Sequence, residues 1–179
     1  MSTFDIGRVT AAVISLIVIV ALIVVLGMRS DPPPPINGDQ LGMETGESFQ
    51  DYTVRASASL SALDDDTSHH FALVTFTEPL PPQQAGEVTE AVARVNAMIV
   101  ANAQPWPLPE PIRGEVRADV YTRELGRIAA PETLTGVVVW DVPPTLRTLN
   151  ENPHVATVEV LPADAQWGRF GVSPVATPV

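Results

Sequence analysis

The 179-residue chain contains neither cysteine nor lysine. Without cysteine there can be no disulfide, no thiolate nucleophile, no thiolate zinc site and no lipidated cysteine. The absence of lysine excludes a phosphate-loop lysine, a Schiff-base lysine and a kinase-type ion pair. Positive charge is scarce in general: 10 arginines face 21 acidic residues, for a net charge of −11. Affinity for nucleic-acid backbones comes from clustered cations that release counterions, so no nucleic-acid partner is expected. There is no G-x-S-x-G, H-E-x-x-H or calcium-loop pattern, and no acidic pair has a spacing that selects it for acid–base work. We therefore expect a non-enzymatic protein with no catalytic residue, cofactor or resident metal.

The apolar residues are unevenly spread. Residues 9–28, between Arg8 and Arg29, form an unbroken run of 20 uncharged residues dominated by Val, Ile, Leu and Ala. At about 1.5 Å per residue such a helix spans roughly 30 Å, the thickness of a bilayer core. A secretory signal has a shorter apolar region, about 7–15 residues, and ends in a small-x-small cleavage site. Leu26, Gly27 and Met28 supply no such site. The expectation is an uncleaved signal anchor in the cell membrane, with residues 1–8 as a cytoplasmic stub and the lipid bilayer as one partner. The remainder holds 20 of the 21 acids and 8 of the 10 arginines. Long domains translocate largely regardless of charge, which places the C-terminal part outside the cytoplasm.

Residues 29–51 begin with four prolines, Pro32 to Pro35, and continue through Gly38, Gly42 and Gly46. A polyproline spacer loosened by glycine reads as a stalk. Residues 52–163 then alternate short apolar runs with prolines, enough chain for one small core. The run 71–77 reads as a buried strand closed by Pro79, and Pro82 starts a helix with Val88, Ala91 and Val92 on one face. Residues 95–101 fit either a continuing helix or a second strand. Residues 136–140, 143–149 and 155–161 read as strand, short helix and strand. Taking 95–101 as a strand gives β-α-β-β-α-β, a ferredoxin-like α+β domain with one helical layer on a four-stranded antiparallel sheet. An insertion at 102–135 separates the central strands and carries a helix near 116–130. Residues 164–179 read as an extended tail.

Within 136–160, Leu149, Pro153, Val155, Val158 and Glu159 match the pattern L-x-x-x-P-x-V followed by V-x-x-V-E. That segment resembles the second half of subtilisin-type propeptides and related peptidase inhibitors. The resemblance implies the ferredoxin-like fold and brings protease inhibition as an alternative function. The whole layout, lysine-free, rich in Ala and Val, with an anchor, a proline stalk and a small acidic outer domain, is similar to small single-pass membrane proteins of high-GC Gram-positive bacteria. These include accessory subunits of the respiratory cytochrome bcc and oxidase supercomplex.

Two groups of residues could carry function. His69 and His70 beside Asp64, Asp65 and Asp66 form the most metal-like cluster, although adjacent strand residues point to opposite faces, and a solvated turn explains them as well. His154, after Pro153, reads as a surface residue. Among the aromatics, Trp140 lies in a strand and is expected in the core. Trp106 sits between two prolines, and Trp167 and Phe170 lie in the tail. An aromatic on a stiff loop costs little entropy to immobilise and suits a docking anchor. The leading expectation is a membrane-anchored accessory subunit that docks a protein partner in a membrane complex through Trp106, Trp167 and Phe170. The alternatives are a propeptide-like protease inhibitor and a cation-binding sensor.

Overall fold

A computed structural model describes residues 11–16, 18–19, 38–64, 67–101, 103–128 and 132–177, and the chain divides into two units, Met1–Pro35 and Ile36–Val179. In the first unit, residues 11–16 and 18–19 are helical, with Val13, Ile14, Leu16, Val18 and Ile19 exposed. The expected transmembrane helix at 9–28 is not met, because no helix among the described residues is long and apolar enough to cross a membrane. The rest of that span, the 1–8 stub and Pro32 to Pro35 lie outside the described residues.

The second unit is organised by one strand. β2 (His70–Leu80) is buried continuously from His70 to Phe76, so both of its faces carry core side chains. Alternate residues of a strand point to opposite faces, and an unbroken apolar run such as Phe71 to Val74 therefore demands cover on two sides. β2 lies between β5 (Leu134–Asp141) and β6 (Val155–Val160), antiparallel to both. β3 (Arg94–Ile99) pairs antiparallel with the far side of β5, and β4 (Trp106–Pro107) adds to β3, giving the order β4-β3-β5-β2-β6.

Three helices cover one face. α2 (Pro82–Val88) and α4 (Pro143–Asn150) each start with proline in the first turn, where the missing N–H costs no hydrogen bond. α3 (Arg117–Ile128) crosses the insertion. Ala85, Val88, Tyr121, Leu125, Leu146 and Leu149 from these helices pack on Ala72, Val74, Phe76, Met98, Val137, Val139 and Val158 of the sheet. A fourth helix, α1 (Phe49–Ser61), lies against β6. Ser48 caps it by accepting from the Asp51 N–H at 3.2 Å, and Tyr52, Ala56 and Leu60, at four-residue spacing, are its buried stripe. Ser59 Oγ accepts from the Val160 N–H at 2.9 Å, which satisfies a donor on the sheet edge.

The other face carries Phe71, Leu73, Ala97, Ile99 and Val138, and both chain flanks cover it. Leu41, Leu161 and Ala165 pack there with Phe170, Val172 and Val175. β1 (Gln40–Leu41) and β7 (Gly171–Val172) join as a two-stranded parallel sheet.

The four-stranded ferredoxin-like domain is thus corrected to an α+β domain with a five-stranded antiparallel sheet and a second parallel one. The extra strand comes from the proline-rich start of the insertion. Trp106 sits opposite Met98 and Pro107 opposite Ala97, and proline is tolerated there because β4 is an edge. The ambiguous stretch is the strand β3, since α2 ends at Val88. The folded unit also reaches beyond 52–163 on both sides, because residues of the expected stalk and tail supply the second layer. Gly42 marks how tightly those flanks meet: its φ is +93°, and a Cβ there would fall 2.0 Å from the Ser173 carbonyl oxygen. Gly42→Ala is therefore expected to destabilise the domain by at least about 1 kcal/mol, read as a lower urea midpoint with an unchanged slope.

Candidate functional site

The docking residues expected from sequence fall into two separate places. Trp106 lies on the edge strand β4 and is 40% exposed, and its Nε1–H donates to Glu124 Oε2 at 3.3 Å. Glu124, on α3, is only 2% exposed and is also bound by Arg123 at 3.4 Å and Arg127 at 3.1 Å. Burial alone would raise its pKa, but the hydrogen bonds from Trp106 and Arg123 and the charge of Arg127 outweigh it and hold the carboxyl below its ordinary range. Trp106 is thereby tied to its own domain.

Trp167 and Phe170 belong to a ring cluster built on Phe71. Their rings lie 5.9 and 5.1 Å from that of Phe71, and 5.8 Å from each other at 74°, an edge-to-face arrangement. Trp140, expected in the core, joins this cluster from β5 at 6.4 Å from Phe71, and His69 stacks on it at 4.2 Å and 26°. The alternation of β5 explains the outcome. Val137 and Val139 face the helices, whereas Val138 and Trp140 face the other side, and Trp140 stands near the end of the strand where cover runs out. Trp140 remains 37% exposed and Trp167 41% exposed. Arg94 lies directly opposite Trp140 in the β3–β5 register, which puts both side chains on the same face. Arg94 is exposed and makes no ion pair among the described residues. The result is a patch of His69, Trp140, Trp167 and Arg94 over the rigid sheet.

The histidines do not converge. His69 is engaged with Trp140, His70 Nδ1 lies 3.0 Å from the Leu161 carbonyl, and the backbone N–H of His154 donates to Asn152 Oδ1 at the turn before β6. Among the described residues no group of three or more His, Asp or Glu could hold a metal ion; Asp65 and Asp66 lie outside them.

A charged site that sequence reasoning missed lies beneath α1. Glu159 on β6 is 3% exposed. It accepts from the Gly42 N–H at 2.5 Å and from Arg55. Arg55 also donates to both carboxylate oxygens of Glu47, each at 2.9 Å, and to the Gly42 carbonyl at 2.8 Å. The Arg55 hydrogen bonds hold Glu47 well below the usual carboxylate range, at about 2, whereas burial pushes Glu159 upward. Burial and the nearby Glu159 charge also raise Tyr52. Tyr52 Oη is buried beside Glu159 and Thr75, and Thr157 Oγ1 is buried without a hydrogen-bond partner among the described residues. Arg55, Gly42, Asp39 and Glu44 line an open polar cleft of about 530 Å³. Arg55 is engaged on several sides, and the group joins segments of chain without presenting a nucleophile–base pair. The available signal was a glutamate in the middle of the apolar strand sequence Val155-Ala-Thr-Val-Glu-Val160.

Phe71→Ala should cost about 3 kcal/mol and make the 164–177 tail susceptible to limited proteolysis, whereas Trp106→Ala should leave the tail protected. Comparisons with protein-family models, with curated proteins and with solved structures find no match to this chain.

Proposed function

We propose that the Ile36–Val179 unit is a non-catalytic docking domain, an accessory part of a larger protein assembly. The observation that carries this reading is the half-exposed aromatic pair Trp140 and Trp167, held over the sheet beside Arg94. Tryptophan and arginine are the side chains that most often dominate binding energy at protein interfaces. Here the rings are already fixed by Phe71, Phe170 and His69, so little entropy is lost when a partner covers them. In a chain of net charge −11, an exposed arginine without a carboxylate partner among the described residues favours an acidic group on the partner. Trp167 and Phe170 take part in this patch, while Trp106, tied to Glu124, belongs to a second exposed edge.

Protease inhibition has less support, since it calls for a free extended peptide and the tail aromatics rest on Phe71. The test is mass spectrometry of proteins that co-purify with the full chain after gentle extraction, compared with Trp140→Ala, Trp167→Ala and Arg94→Glu variants. A partner retained by the wild type and reduced at least tenfold by each variant is expected. A wild-type protein recovered alone, or variants that keep the partner, would contradict the reading.

A further inference from the structure

We propose that the segment Pro105-Trp106-Pro107-Leu108-Pro109 is a guard that closes the β3 side of the sheet to strand addition by a second copy of this chain. The hazard lies in β3 itself. Residues 95–101 carry no charge and no proline and are rich in Val, Ile, Met and Ala, the kind of segment that pairs between molecules when it lies at an open edge. β5 occupies one side of β3, and without β4 the other side would be such an edge.

The alternation of prolines decides what β4 offers in its turn. Met98 lies opposite Trp106 and Ala97 opposite Pro107, and the Leu108 N–H donates to the Asn96 carbonyl at 2.9 Å. In an antiparallel strand the backbone groups of successive residues point alternately to one neighbour and to the other. Trp106 and Leu108 therefore turn their N–H and carbonyl toward β3, and residues 105, 107 and 109 turn theirs away from it. All three are proline, which has no N–H. The outer side of β4 thus holds carbonyl acceptors and no backbone donor from 105 to 109, and an incoming strand, which needs both, finds half of its ladder missing.

The inward residues hold this guard in place. Leu108 is buried in the core on the helix side of the sheet, and Trp106 is anchored by its bond to Glu124 of α3, whereas Pro107 and Pro109 are exposed. The opposite edge is closed by another means: α1 lies against β6, and Ser59 Oγ accepts from the Val160 N–H at 2.9 Å. The five-stranded sheet therefore ends at β4 and β6 within one chain. This holds whether or not the patch around Trp140 binds a partner.

Sedimentation velocity of the full chain after gentle extraction, with thioflavin T fluorescence as the readout of strand stacking, tests this in a Pro107→Thr/Pro109→Thr variant. That change restores two outward N–H groups at exposed positions and leaves the inward bonds of Trp106 and Leu108 in place. Two new hydrogen bonds correspond to a self-association constant raised at least about tenfold, accompanied by thioflavin T binding above the wild-type level. Pro144→Thr, at an exposed proline in the first turn of α4, should leave both readouts as in the wild type. A double variant no more associated than the wild type would overturn the proposal, and so would an equal rise in Pro144→Thr. Should the double variant fail to fold, judged by its urea midpoint, Pro107→Thr alone decides: a rise of about threefold is expected, and no rise sinks the proposal.

Discussion

The whole domain depends on a central strand that is apolar on both faces. From His70 to Phe76, β2 has no solvent side, and its neighbours β5 and β6 extend the same condition across the sheet. Helices meet half of that demand. The other half falls to segments with no secondary structure strong enough to stand alone, two-residue strands and a tail, which are ordered because the apolar face beneath them is worth covering. Leu41 from one flank and Ala165, Phe170, Val172 and Val175 from the other meet on Phe71, Leu73 and Val138. This is why Gly42 lies so close to Ser173 and why the folded unit is wider than its helices and long strands suggest.

Two buried carboxylates then tie irregular chain to regular structure. Glu124 holds the indole of Trp106 and with it the insertion, and Glu159 holds Gly42 and with it the N-terminal flank. Their environments push them in opposite directions. Glu124 is served by Trp106 and two arginines near the surface, whereas Glu159 shares a single arginine with Glu47. The first is a constitutive pin. The second is buried on β6 and joins the N-terminal flank to the sheet through the Gly42 N–H and Arg55.

Much of the framework was legible because it is written in local signals. β-branched runs closed by proline mark β2, β5 and β6, and proline in the first turn marks α2 and α4. α1 had a readable signal in Ser48 and Asp51 followed by Tyr52, Ala56 and Leu60, but the glycines and acids before it suggest a stalk. β1, β4 and β7 are two residues long and have no periodicity to read, since their pairing is set by the face they cover. The ring cluster escaped for a similar reason. That Trp140 is half exposed follows from its register near a strand end, and that Trp167 meets Phe71 follows from the path of the tail. Neither is encoded in the neighbouring residues. The apolar run at 9–28 reads as a single-pass span, yet the described residues contain no helix long and apolar enough to cross a membrane.

The C-terminal tail is part of the second layer of the core and not an appendage. Equilibrium unfolding in urea of the full chain against a chain ending at Pro162 tests it most directly. Removal of Ala165, Phe170, Val172 and Val175 from the sheet face should lower stability by at least about 3 kcal/mol and expose Phe71 and Leu73 to hydrophobic dye. An unchanged midpoint in the shortened chain would contradict the account.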